Sequence, residues 1–292
     1  MRLLSVPTMK RATVYSDCVG GLADAALSAR FIVAEAAVAA VSQLYAARAA
    51  SNELHLFQAA HWGNGDQIVL ADLTKKEFVG LYDDQMSDAK GGGRKHYDQL
   101  KMTELGICPL CGFGHVSTLD HFAAKARYPA FSVLPINLVP ACFDCNKKMG
   151  AGVIETDSAM PHPYFEEERV EIETWLICDV EHTQPVTVTY RAETPVHWGD
   201  GLSKRVRNHF KELNLATRYA VQAGSHLATI KGFLAGLAPA DLQWYVGRKV
   251  NAIERPNEWE SALYAGLLRS AWFMQVGYRR GHASPNSREE AH

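Results

Sequence analysis

An excess of charge of either sign is missing from this chain. Across 292 residues Lys and Arg total 30 against 32 Asp and Glu, a net charge of −2. That excludes a whole-chain basic field for nucleic acid, although local basic clusters can sit on a neutral body. Cysteine is scarce, with six residues, too few for a disulfide-dense secreted scaffold. An unbroken apolar run of the ~20 residues that a membrane span needs is also lacking. The most apolar stretch, Gly21 to Ala50, is interrupted by Asp24, Arg30, Glu35 and Arg48. The N-terminus, MRLLSVPTMKR, has no apolar core long enough for a signal peptide. Together these features predict a cytoplasmic protein with no membrane association, in a compartment where paired cysteines hold metal more often than they form disulfides. No internal repeat or low-complexity tract is found. Only Gly281 to His292, polar and without periodicity, reads as disordered.

The apolar share of 47% and six tryptophans are enough to build cores on both sides of any central motif. Three regions are expected. Residues 1–100 are predicted to be a helical N-terminal region: residues 22–50 are alanine-rich with apolar residues on helical spacing, and Thr74-Lys-Lys-Glu77 fits a capping box ahead of Phe78, Val79, Leu81 and Tyr82. Gly91-Gly92-Gly93 is a break, after which Arg94 to Leu105 reads as a short helix. Residues 101–160 carry the chemistry. In residues 161–292, Val170–Asp179 and Pro185–Tyr190 read as a hairpin turning at Glu181 to Gln184. Helices then follow, with Ser203 capping Lys204 to Leu213, and stripes over Asp241–Ile253 and Glu258–Tyr278.

Four cysteines fall in two pairs, Cys108-Pro-Leu-Cys111 and Cys142-Phe-Asp-Cys145, with 30 residues between them. Such knuckles turn tightly enough to aim both sulfurs at one point, and two of them make a closed tetrahedral zinc site. Having no open coordination position, this zinc would hold the fold rather than catalyse. Two redox-active pairs, or simple free thiols, are the other readings of the same spacing. Cys18 and Cys178 stand alone and read as small buried hydrophobes, and His115 as a superfluous fifth candidate ligand.

Between the knuckles lie Leu119-Asp120-His121-Phe122 and Asn137-Leu138-Val139-Pro140, and the second knuckle is followed at once by Asn146-Lys147-Lys148. The run CPLCGFGHVSTLDHFAAKARYPAFSVLPINLVPACFDCNKKMG resembles the centre of zinc-containing HNH endonucleases. The likeness is close over about 45 residues and looser upstream. The resemblance implies an α+β fold. Its core would be a ββα-metal HNH centre with structural zinc, flanked by mostly α-helical N- and C-terminal regions. It also implies roles. His121 would be the general base that activates water, Asn137 would pin the loop holding that base, and Asp120 and Asn146 would ligate a catalytic divalent ion.

An imidazole neutral near pH 7 can take a proton from water, while a metal ion stabilises charge on the leaving oxygen. Asn146 departs from the histidine often found at its position. With Asp120 it makes an oxygen-only protein set, which suits magnesium or manganese better than zinc; alternatively the change weakens metal binding and leaves a degenerate centre. On a regular strand Asp120 and His121 would point to opposite faces, so a twist or bulge is expected there. The reading also needs an accessible imidazole at residue 121. Taken singly, Asn137 could merely cap a turn and Asn146 could be a helix N-cap.

Lys125, Arg127, Lys147 and Lys148, with Arg94, Lys95 and Lys101 upstream, could neutralise phosphates, or simply form a solvated face. Lys204, Arg205 and Arg207 form a second such cluster, and His162-Pro-Tyr-Phe165 reads as a packing turn. The expected activity is a metal-dependent endonuclease acting on nucleic acid, DNA in the first instance. By analogy with Septu-type bacterial antiphage systems, a separate ATPase would be its protein partner. A non-catalytic zinc module that binds nucleic acid or protein is the alternative.

Overall fold

The structure is a computed structural model and describes residues 1–102, 104–252 and 255–279. It is a mixed α and β protein, with many helices and three two-stranded sheets among the described residues. The chain divides into two compact units, Met1–Glu167 and Glu168–His292. The C-terminal segment read as disordered lies outside the described residues, as does Ile253.

The first unit opens with α1 (Arg11–Gly20) and α2 (Ala25–Ala50). The Asp24 carboxylate starts α2 by accepting from the amides of Ala26 and Leu27, a cap that satisfies two otherwise orphaned donors. By length and composition α2 is long and apolar enough to cross a membrane. In this unit its inward stripe of Phe31, Ala34 and Val38 joins one core cluster, and Tyr45 and Ala49 join another. Two of its charged residues are ion-paired, Arg30 with Asp72 and Glu77, and Glu35 with Arg11.

A short hairpin follows, β1 (Ile68–Leu70) with β2 (Leu73–Thr74), which nothing in the sequence pattern flagged. Thr74 then caps α3 (Lys75–Gly80) in a complete capping box with Glu77. The helix widens into a π-helical turn over Leu81–Ser87. The glycine break precedes α4 (Arg94–Lys101), which is shorter than the sequence suggested because the backbone already turns extended at Met102. A Cβ on Gly93 would lie 2.3 Å from Cys18 Sγ, so the turn needs glycine to reach the core.

The segment between the cysteine pairs contributes β3 (Thr118–His121), paired antiparallel with β4 (Leu138–Ala141). Pro140 is tolerated because a two-stranded sheet leaves one side of β4 unpaired. After β4 comes α5 (Phe143–Met149), which packs on β3. Leu119 and Leu138 lie in the same core as α1 to α4, so the N-terminal helices and the strand pair are held by one hydrophobic cluster.

The second unit begins with α6 (Arg169–Ile172), so the first strand of the expected hairpin starts later than Val170. The hairpin itself is β5 (Leu176–Glu181) with β6 (Thr187–Ala192). Buried Asn257 clamps its start: its Oδ1 accepts from the Trp175 and Leu176 amides and its Nδ2 donates to the Glu173 carbonyl. Helices α7 (Asp200–Glu212), α8 (Leu215–Ala235), α9 (Pro239–Ala252), α10 (Trp259–Arg269) and α11 (Ala271–Gln275) complete the unit. Ser203 is not a cap, for α7 begins at Asp200 and Ser203 is buried within it. The expected single stripe over Glu258–Tyr278 is broken at Ser270, whose hydroxyl caps α11 by accepting from the Phe273 amide. Cys178 is buried beneath α10, where a Cβ on Gly266 would meet its carbonyl at 2.4 Å.

Candidate functional site

The two knuckles bring the sulfurs of Cys108, Cys111, Cys142 and Cys145 within 4.8 Å of one another, all four residues buried. Cys111 Sγ and Cys142 Sγ are 3.8 Å apart. That matches the edge of a tetrahedron with zinc–sulfur bonds near 2.3 Å, which is about 3.8 Å. The first knuckle is closed by hydrogen bonds from the Gly112 amide to the Cys108 carbonyl and from the Cys108 amide to the Gly114 carbonyl. Gly114 also donates its amide to Cys111 Sγ at 3.3 Å, and a Cβ there would sit 2.8 Å from Cys142 Sγ. The donor set, spacing and burial could hold a zinc ion. His115 is exposed outside this cluster.

The two cysteine knuckles flank the β3–β4 pair and lead into α5, and a cavity lies where the end of β3 meets that helix. Its volume is about 620 Å³, and Asp120, His121, Lys125, Asn146 and Tyr82 all line it. The pairing of β3 with β4 is regular, with no bulge. Adjacent Asp120 and His121 nevertheless share the cavity, because His121 is the last residue of the strand and Asp120 Oδ1 curls back to accept its amide at 2.7 Å.

Asp120 Oδ2 is sealed from solvent and has no hydrogen-bond partner among the described residues. A carboxylate oxygen can only accept, so it calls for a proton or a cation. Burial accordingly pushes this carboxyl up to about 7. Asn146 lies inside α5 and is not its N-cap, which is Cys142. Its backbone amide bonds the Cys142 carbonyl, while its side-chain amide makes no hydrogen bond among the described residues.

His121 is buried, at 7% exposed, where the sequence reading needed an accessible imidazole. Its Nε2 lies 2.8 Å from the Ser132 carbonyl oxygen. Since a carbonyl only accepts, Nε2 carries the proton and the lone pair is on Nδ1. That Nδ1 has no protein partner among the described residues and is not among the sealed unpartnered atoms. Tyr82 packs edge-on against the ring at 4.4 Å. Burial lowers the imidazole to about 3, so it is neutral through the physiological range.

Asn137 is fully buried behind the cavity. Its Oδ1 accepts from the Ala123 amide and the Tyr45 hydroxyl, and its Nδ2 donates to the carbonyls of Ala123 and Phe131. Three of its hydrogen bonds tie the chain after His121 to the chain before β4, and the fourth ties both to Tyr45 of α2. Tyr45 of α2 and Ser132 were not anticipated, since residues so far from the motif carry no local signal. His162 is buried, accepts from the Tyr164 amide and packs with its ring tilted 35° to that of Phe122, centroids 4.0 Å apart, as a packing residue would.

The basic residues separate. Lys125 is at the cavity, ion-paired with Asp83 and 4.7 Å above the Tyr82 ring. Lys147 and Lys148 are exposed on α5. Arg127 lines a different cavity. Upstream, Arg94 pairs with Asp98 and Lys95 with Asp17.

Comparison with known proteins gives one strong likeness: protein Ea31 of Escherichia phage lambda is 30% identical over 233 residues, 79% of each chain. The chain belongs to the Ea31 family. Aligned over that length, Ea31 and this chain share more than the cysteine-flanked segment could supply. No protein-family model matches the sequence, and no solved structure matches it. The Ea31 name specifies no reaction, so function must be argued from the site.

Proposed function

We propose that this Ea31-family chain is a metal-dependent endonuclease of HNH type. In this reading His121 acts as general base, Asp120 and Asn146 ligate a magnesium or manganese ion, and Asn137 pins the loop between them. The observation that carries it is that Asp120, whose Oδ2 is buried and unpartnered, lines one cavity with His121 and Asn146. The β3–β4–α5 order, with the four-cysteine cluster beside it, agrees with a ββα centre held by structural zinc.

Each residue has a task it can perform. The Ser132 carbonyl fixes His121 as the tautomer whose Nδ1 is free to accept a proton from water. A divalent ion, when bound, supplies Lewis-acid stabilisation of a phosphoryl oxygen. Two oxygen ligands of the protein suit magnesium or manganese, with waters and substrate completing the shell. Lys125, held by Asp83 against Tyr82, places a positive charge where a backbone phosphate would lie. Lys147 and Lys148 remain candidates for more distant phosphates.

The burial of His121, which also makes its imidazole a weaker base than a free histidine, favours a second reading, a zinc-stabilised binding module without catalysis. One experiment separates them. Zinc-loaded protein is incubated with plasmid and with single-stranded DNA and RNA under magnesium or manganese. Nicked or shortened products that disappear in His121→Ala support the nuclease. Equal behaviour of wild type and variant removes catalysis by this centre.

A further inference from the structure

Four side chains that carry a hydroxyl line the cavity at the end of β3: Tyr82, Ser87, Tyr97 and Thr118. Three of the hydroxyls are committed. Ser87 donates to the Asp83 carbonyl, and those of Tyr97 and Thr118 bond to each other at 3.3 Å. The Tyr82 hydroxyl alone makes no hydrogen bond among the described residues. Tyr82 is only 6% exposed, yet its oxygen is not among the sealed unpartnered atoms, so a small group can reach it. A buried tyrosine usually finds a partner for its O–H. Here the ring is packed in protein and the donor is left open.

The backbone accounts for this placement. Tyr82 sits in the π-helical turn Leu81–Ser87 that follows α3, and turns widened in this way occur frequently at functional sites. Leu81 is buried in the core, Tyr82 lines the cavity, and Asp83 pairs with Lys125. The Tyr82 ring is held on two sides, edge-on against His121 at 4.4 Å and with Lys125 Nζ 4.7 Å from its centroid. Asp83 offsets the charge of Lys125, and Asp120 adds a carboxyl to the same wall. A neutral O–H beside the ammonium can therefore attract an anion where the net charge does little. Hydrogen bonds to an ionised acceptor are among the strong ones.

We propose that the Tyr82 hydroxyl is a phosphate-binding group of this cavity. It donates to a non-bridging oxygen of the same nucleic-acid backbone phosphate that Lys125 faces. That this phosphate is the one cut rests on the nuclease reading. The contact itself rests on the open donor of Tyr82 and its place beside Lys125.

The test is fluorescence anisotropy of a labelled mixed-sequence oligonucleotide, offered as single-stranded DNA, duplex DNA and single-stranded RNA to zinc-loaded protein in buffer free of magnesium and manganese. Wild type, Tyr82→Phe, Lys125→Gln and the double variant are compared across a salt series. Tyr82→Phe keeps the ring against His121 and removes only the donor. It is expected to melt as wild type does and to bind about tenfold more weakly, the loss of one hydrogen bond to a charged acceptor. Its salt dependence should stay that of wild type, because a neutral donor releases no counterion, whereas Lys125→Gln should reduce the salt slope by about one. The double variant should lose less than the two single losses combined, since both groups hold one phosphate. A Tyr82→Phe protein that binds as wild type does, or that melts lower, overturns the proposal. So do fully additive losses, or a wild type that binds none of the three probes. Cleavage under magnesium or manganese is scored separately: weakened binding by Tyr82→Phe without cleavage by wild type keeps the phosphate contact and ends the nuclease reading, whereas wild-type cleavage with unaltered Tyr82→Phe binding does the reverse.

Discussion

Nε2 of His121 donates to the carbonyl of Ser132 across 2.8 Å, and this contact decides which nitrogen of the imidazole can act. Ser132 is itself locked, its hydroxyl donating to the Phe78 carbonyl in the core. The base would thus be oriented by main chain rather than by a second acid. His121→Ala is expected to lower the cleavage rate by about 10²–10⁴, the usual worth of general-base catalysis, with zinc content and thermal melting preserved. A fall of less than fivefold would assign the imidazole a packing role.

Asn137 is expected to matter for stability as much as for rate. Asn137→Ala leaves the buried Ala123 amide and two carbonyls without their partner. Unmade buried hydrogen bonds of this number cost about 3 kcal/mol or more. Tyr45→Phe removes only the bond to Asn137 Oδ1 and should cost about 1 kcal/mol. Chemical denaturation measures both, and equal losses would contradict the hub role of Asn137.

The pH dependence follows from Asp120. Its carboxyl is pushed up to about 7 by burial, so below that value a bound proton competes with any cation. Affinity for manganese should fall about tenfold per unit as pH drops below 7 and level off above it. The sign for the metal-free fold is opposite to that of a salt-bridged acid. The raised carboxyl favours folding below the ordinary carboxyl range, and that contribution is lost as pH rises through about 7. Asp120→Asn should therefore melt higher than metal-free wild type at pH 8. Identical melting at pH 8 would place the carboxylate in solvent.

Thiol labelling tests the zinc cluster. Burial pushes Cys18 and Cys178 up to about 12, so neither presents a thiolate in the native protein. Native zinc-loaded protein should label slowly at every cysteine. A chelator should release one zinc per chain and make four cysteines reactive while two stay protected. Gly114→Ala should speed that release, because its Cβ would crowd Cys142 Sγ.

The parts legible in sequence were those that depend on near neighbours. The Thr74–Glu77 capping box, the glycine break and the two knuckles each have all their determinants within a few residues, and each forms. The cavity was legible only as a residue set, since Asp120 and Asn146 come to line one cavity through tertiary packing. Strand geometry argued against Asp120 and His121 sharing a face. The end of β3 and the carboxylate's return to the His121 amide changed that, and neither has a sequence signature. Ser203 and Ser270 show the same limit: both are plausible caps by residue type, but only Ser270 sits where a helix begins. Arg127 was grouped with the phosphate-binding residues by charge alone, whereas the fold turns it into another cavity.

The most direct measurement is manganese binding followed by electron paramagnetic resonance in zinc-loaded protein, for wild type, Asp120→Ala and Asn146→Ala. One manganese per chain in wild type, lost in Asp120→Ala and weakened in Asn146→Ala, is the predicted result. No manganese bound beside the zinc, or binding unchanged by either substitution, would contradict the account.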